Sequence, residues 1–189
     1  MTTESKKPKG IVGPRDRLLD AGLRLLAQGL PAARLTAAMA AKEAGVRPAQ
    51  FKTAFATHDD FLLGLLKRLS EEVRTEAIQA IARKAPGLDL IREGIRRYLD
   101  TILRRPALLE ISSMLQTHPG CHQITRDRRI SLVMLATLQL KMAEVENAEG
   151  IGQLGMAMLF EIAQAEYEAR RALPDYRETI DSYFQRSAR

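Results

Sequence analysis

Apolar residues recur along this chain at helical intervals almost from end to end. In "RDRLLDAGLRLLAQG", Leu18, Leu19, Leu25 and Leu26 stand at i, i+1, i+7 and i+8, one stripe of a helix that Pro14 can open and Gly29 can close. Gly22 lies on that stripe, where a missing side chain lets another helix approach closely. Thr36 is placed to N-cap a short helix through about Ala44. Gly45 then supplies the positive φ of a tight turn, Val46 plugs the corner, and Pro48 opens a third helix whose buried side is Phe51 and Phe55.

A longer helix begins at Thr57, which forms a capping-box pattern with Asp60, and carries Phe61, Leu62, Leu65, Leu66, Leu69, Val73, Ile78 and Ile81 toward Pro86. Further helices are predicted over 88–104, 106–117, 121–146, 150–171 and 175–187, punctuated by Pro106, Pro119-Gly120, Gly150 and Pro174. Strict alternation of apolar and polar residues is hard to find, so the pattern predicts an all-α protein of about nine helices. Residues 1–14, "MTTESKKPKGIVGP", lack an apolar stripe and are expected to form a flexible basic arm. Residues 15–58 and 59–189 then make two helical domains.

Charge changes the picture more than bulk composition does. Residues 1–58 hold ten Lys/Arg against four Asp/Glu, a net of +6, whereas the other 131 residues hold nineteen of each. A localised positive field suits a polyanion, because neutralising phosphates releases condensed counterions. The lone cysteine, Cys121, rules out an intramolecular disulfide and points to a reducing compartment. Behind Lys6, Lys7 and Lys9 there is no apolar segment of a signal peptide, and the chain has no long apolar run, so a soluble, cytoplasmic protein without membrane contact is expected.

Two short helices joined by a glycine turn are the layout of a helix-turn-helix. With Phe51 and Phe55 facing inward, Arg47, Gln50, Lys52 and Thr53 face solvent. Arg can pair with guanine O6/N7 and Gln with adenine N6/N7, while Thr can reach a thymine methyl or a phosphate. Thr36, Pro48, Thr57 and His58, at the helix starts around them, complete the predicted DNA-facing set.

From Arg15 to Leu66 the chain resembles the TetR family of transcriptional regulators, on Ala21, Leu26, Gly29, "LTAAMAAKEAGV" (Leu35 to Val46), Phe51, Phe55 and "THDDFL" (Thr57 to Leu62). The resemblance implies a three-helix DNA-binding domain followed by a helical ligand-binding and dimerisation domain, with no enzymatic activity. It also implies a homodimeric repressor on a pseudo-palindromic double-stranded operator, controlled by a small apolar or amphipathic effector bound within 61–145. Residues 128–142 and 150–171 are then the expected dimer interface, and Leu99, Leu103, Met114 and His118 are candidate effector contacts. The departures from the family pattern fall mostly on the DNA side: Arg47 stands for a Ser or Thr, Ala49 for a glycine, Lys52 for a Tyr, Ala54 for a His or Tyr and His58 for a Lys. In the second helix, Ala40 stands for an isoleucine. They motivate a second reading, a small-molecule or lipid binding protein that has lost specific DNA binding.

Other clusters carry potential chemistry. "HPGCH" gathers His118, Cys121 and His122, but with one further His in the chain and no CxxC or HExxH pattern, polar residues at an interhelix turn are expected, and no metal or cofactor. A redox role for Cys121 would need an accessible thiol of depressed pKa. Arg126, Arg128 and Arg129, like Arg170 and Arg171, are expected on solvated faces paired with nearby Glu. Met114, Met134, Met142, Met156 and Met158 are expected to fill the core.

Overall fold

Side-chain caps at Thr36, Thr57 and His118 set three of the helix starts. In the computed structural model, which describes residues 13–81 and 86–187, these residues form α1 (Pro14–Ala27), α2 (Ala37–Ala44), α3 (Pro48–Ala54), α4 (His58–Ile81), α5 (Leu88–Arg104), α6 (Ala107–Met114), α7 (Pro119–Met142), α8 (Ala148–Ala169) and α9 (Pro174–Ser187), with a 3-10 turn at Ala32–Arg34. Lys6, Lys7, Lys9 and the side chain of Ile81 lie outside the described residues. The described residues contain no strand, and no helix among them is long and apolar enough to cross a membrane.

Local chemistry accounts for the first turns. Thr36 Oγ1 accepts from the Met39 amide at 3.2 Å, so α2 starts where its first free N–H finds a partner. Gly45, at φ 62° and ψ 37°, ends α2 in the left-handed region that side chains disfavour. At the start of α4 the capping box is reciprocal: the Thr57 amide donates to Asp60 Oδ2 at 2.9 Å, and the Asp60 amide donates to Thr57 Oγ1 at 3.0 Å.

Two boundaries differ from the sequence expectation. Pro119 and Gly120 are the first turn of α7 rather than an interhelix turn, with His118 as N-cap: its Nδ1 accepts from the Gly120 amide at 3.1 Å. The break between α7 and α8 comes at 143–147, where Glu144 (φ 57°) and Asn147 (φ 50°) adopt left-handed backbone, and Gly150 lies inside α8. Residues other than glycine make this turn, so no glycine or proline marks it.

Tertiary packing joins α1 to α4. A Cβ on Gly22 would stand 2.8 Å from the Phe61 ring and 2.9 Å from Leu65, and a Cβ on Gly64 would stand 2.8 Å from Leu19, so each helix offers the other a glycine. Arg68 of α4 clamps the seam from outside, ion-paired to Asp16 at 2.6 Å and to Asp20. Beyond the seam, Leu66, Leu69 and Val73 carry α4 through the core with Leu99, Ile102, Leu108 and Ile111. At the far end Glu166, fully buried, accepts from Arg177 at 2.6 and 2.7 Å, and Arg177 also donates to Asp100 at 2.6 Å, tying α5, α8 and α9 together. These bonds, led by that to Glu166, raise the Arg177 guanidinium above its ordinary pKa, so it stays charged.

Gly22→Val should therefore overpack the seam and destabilise the fold by about 1–3 kcal/mol. Thermal unfolding is expected to show a Tm lowered by several degrees, and an unchanged Tm would place the two helices farther apart than described.

Candidate nucleic-acid interface and effector cleft

The candidate interface is held from behind by aromatics and arginines. Phe51 of α3 and Phe55, its C-cap, are buried against Phe61 of α4, with ring centroids 5.1–5.4 Å apart. Arg15 lies over the Phe55 ring at 4.4 Å and donates to the Ala54 carbonyl at 2.8 Å, at the C-terminal end of α3. Arg17 does the same for α2, donating to the carbonyls of Ala44 at 2.7 Å and Gly45 at 3.2 Å. Cations at helix C-termini satisfy free carbonyls and oppose the negative end of the helix dipole. Two of the basic residues counted in the N-terminal third thus hold the helix-turn-helix together, and Arg24 pairs with Glu43 at 2.9 Å.

The remaining cations have no such work. The side chains of Arg34, Lys42, Arg47 and Lys52 are exposed and have no ion pair or hydrogen bond among the described residues. Several of the other predicted contacts serve their own helices: Thr36 and Thr57 are caps, Thr53 Oγ1 donates to the Ala49 carbonyl at 3.2 Å, and Gln50 Oε1 accepts from the Arg47 amide at 2.9 Å. The Gln50 Nε2 group remains free to donate. Pro48 is the first residue of α3, and half-buried His58 opens α4 with its ring 6.0 Å from that of Phe61. The outer face of α3 is Ala49, Lys52 and Thr53, flanked by Arg47: two mobile charges around a small, flat centre, able to neutralise phosphates.

A cleft of about 590 Å³ opens between α4, α5 and α7, lined by Lys67, Ser70, Val73, Tyr98, Arg128 and Leu132 among others. A smaller apolar pocket of about 40 Å³ adjoins it, shares Ala77, Tyr98, Leu132 and Leu135, and reaches Ile91, Ile95, Met156 and Leu159. That size and apolar lining suit a small organic molecule. Of the candidates named from sequence, Leu99 is fully buried in the core, Leu103 is half-buried, Met114 is exposed at the end of α6, and His118 caps α7; none lines this cleft.

Arg128 is the residue sequence reasoning placed elsewhere. Arg126 and Arg129 are exposed as expected, but Arg128 turns inward, with Nε and Nη1 out of solvent. Its spacing held the clue, since Ile124 and Leu132 stand four residues to either side on the same helical face. The methionines also differ: Met156 is buried, whereas Met114, Met134 and Met142 are exposed. Met134 and Met142 join Ile130 and Leu138 in a stripe at four-residue spacing along α7, beside exposed Leu154 of α8. The small residues of α8 face the other way, Gly152 against Thr137 and Gly155 against Phe184.

His118, Cys121 and His122 do not converge. His122 is exposed, while Cys121 is 3% exposed with its thiol 3.6 Å from the Ser112 carbonyl. Burial pushes the Cys121 thiol above its ordinary pKa, opposed by the charge of Arg128, the reverse of what a redox sensor needs. Among the described residues no group of three or more His, Cys, Asp or Glu could hold a metal.

No family model and no curated protein matches the chain by sequence. Solved structures do. The multidrug binding protein EbrR complexed with ethidium is 20% identical, with a TM-score of 0.72 over 93% of this chain and 98% of that one. A transcriptional regulator from Rhodococcus sp. Rha1 is 17% identical, with a TM-score of 0.72 over 91% and 94%. A TetR-family transcriptional regulator from Streptomyces coelicolor is 16% identical, with a TM-score of 0.67 over 94% of this chain and 80% of that one.

Buried as it is, Cys121 should react with a disulfide reagent on the order of a hundredfold more slowly in the native protein than in denaturant. Comparable rates would show an accessible thiol. Taken together, the helix order and the similarity along nearly the whole chain give this protein the fold of the TetR-family transcriptional regulators.

Proposed function

We propose that the chain is a member of that family and acts as a homodimeric, effector-responsive transcriptional regulator, a repressor that binds a pseudo-palindromic DNA operator. The observation that carries this reading is the outer face of the helix-turn-helix, where Arg47 and Lys52 stand without partners while Phe51 and Phe55 fix the back of the same helix. In two copies, two such helices would enter successive major grooves with half-sites roughly 34–36 Å apart or a multiple of that. The α7 stripe of Ile130, Met134, Leu138 and Met142, with Leu154, supports a dimer surface within the expected 128–142 and 150–171, because such a run of exposed apolar side chains is costly in water.

Effector binding in the cleft would act on the DNA-binding end through α4. Val73, Arg74 and Ala77 line the cleft, and Phe61 and Leu65 of the same helix pack on α1 and α3. A molecule that fits one tilt of α4 better than another shifts the population of head separations by its difference in affinity for the two. EbrR, a multidrug binding protein of similar fold complexed with ethidium, supports a small-molecule effector for this chain.

Lys52→Ala should weaken binding to every duplex and flatten the dependence of log K on log salt by about one unit. Gln50→Ala should instead cost about 1–3 kcal/mol at one base pair and relax the preference there. Measured affinities for an operator and a scrambled duplex across salt concentrations separate the two effects. Uniformly weak binding to all sequences would favour the small-molecule or lipid binding protein that has lost specific DNA binding.

A further inference from the structure

Two cations that line the cleft, Lys67 and Arg128, have no ion pair or side-chain hydrogen bond among the described residues, and Lys67 is exposed whereas Arg128 is half-buried. Arg128 Nε and Nη1 are out of solvent and unbonded among the described residues, as is Ser70 Oγ across the cleft on α4. The guanidinium carbon lies 6.0 Å from the Phe160 ring centroid, and Phe160 in turn packs edge-on against Tyr98 at 6.1 Å. The Tyr98 hydroxyl is likewise without a hydrogen-bond partner among the described residues, although the residue is only 3% exposed. Burial pushes the phenol above its ordinary pKa, so it stays a donor.

The acidic groups at the cleft are already engaged. Glu71 accepts from Arg74 at 2.8 and 3.1 Å, and this hydrogen-bonded pairing holds its carboxyl below the ordinary value; Asp127 accepts from Gln123 at 2.8 Å. A guanidinium with two nitrogens out of solvent and unbonded is costly, and a cation–π contact at this distance offsets that only in part. Neither carboxylate reaches Arg128, which is left without an anionic acceptor, and beside it lies an apolar pocket formed by Ile91, Ile95, Leu132, Leu135, Met156 and Leu159.

We propose that the cleft takes an anionic amphipath, a single carboxylate on an apolar body. The carboxylate would meet Arg128 with the hydroxyls of Tyr98 and Ser70, and the apolar part would lie along Val73, Ile124, Leu132 and Leu135 in the larger cleft. This rests on the effector reading of the cleft and makes it chemically specific: among molecules of equal apolar size, charge sign decides binding.

Decanoate, decanol and decyltrimethylammonium, each below its aggregation concentration, serve as probes in calorimetric titrations of the purified protein without DNA. Decanoate should bind at least about tenfold more tightly than decanol, and the cation most weakly. Arg128→Met should abolish the preference for decanoate while leaving decanol affinity within about twofold, and Arg128→Lys should retain part of it. Equal affinity for decanoate and decanol, preference for the cation, or an unchanged preference in Arg128→Met would overturn the proposal. Should Arg128→Met fail to fold, Arg128→Lys and the wild-type probe series decide the matter. Decanol binding without a carboxylate preference would leave the cleft an effector site and refute only the anion. Binding of none of the three would refute the anion and count against the cleft itself.

Discussion

The contact between α1 and α4 is the constraint on which the rest of the molecule depends. Gly22 and Gly64 bring the two helices close enough for Leu19, Phe61 and Leu65 to interlock, and Arg68 closes the seam with Asp16 and Asp20. Because α4 continues from this seam to the wall of the cleft, the helix-turn-helix and the cavity share one element. A second tie runs from the 3-10 turn, where the Ala32 amide donates to Glu110 of α6 at 2.9 Å. A close-packed seam transmits movement as a rigid body, since interiors at native density do not deform continuously.

The basic charge of the N-terminal third divides into two kinds of work. Arg15 and Arg17 cap the C-termini of α3 and α2, and their charge is partly spent on carbonyl oxygens. Arg34, Lys42, Arg47 and Lys52 remain for a partner. A net charge alone cannot make that distinction, because structural and polyanion-binding arginines count equally. The departures from the family pattern at Arg47 and Lys52 therefore leave positive charge on this surface while removing the hydroxyl and phenol that the family pattern carries there.

Much of the fold was legible in the sequence because caps and turns act over three or four residues. Thr36, Gly45, Pro48, Thr57 and Asp60 each specify their own neighbourhood, and the helix limits there fall where their chemistry puts them. Where a boundary depends on tertiary contacts the sequence was silent, as at 143–147, which no glycine or proline marks. The cleft was less legible still. It is an absence of packing between faces of α4, α5 and α7, and Arg128 within it reads as one more arginine in "RDRR" unless its four-residue spacing to Ile124 and Leu132 is weighed above its charge. The stripe of Met134, Leu138 and Met142 shows the converse, an apolar periodicity that a search for core residues assigns to the interior.

A regulator of transcription built this way requires that α3 read duplex DNA. Repeated selection of bound duplexes from a random-sequence pool, with the full chain, tests this most directly. Enrichment of one site with two-fold symmetry, bound at least roughly a thousandfold more tightly than unselected duplex at physiological salt, is expected. A pool that stays random through selection, or binding that depends on salt but not on sequence, would contradict it.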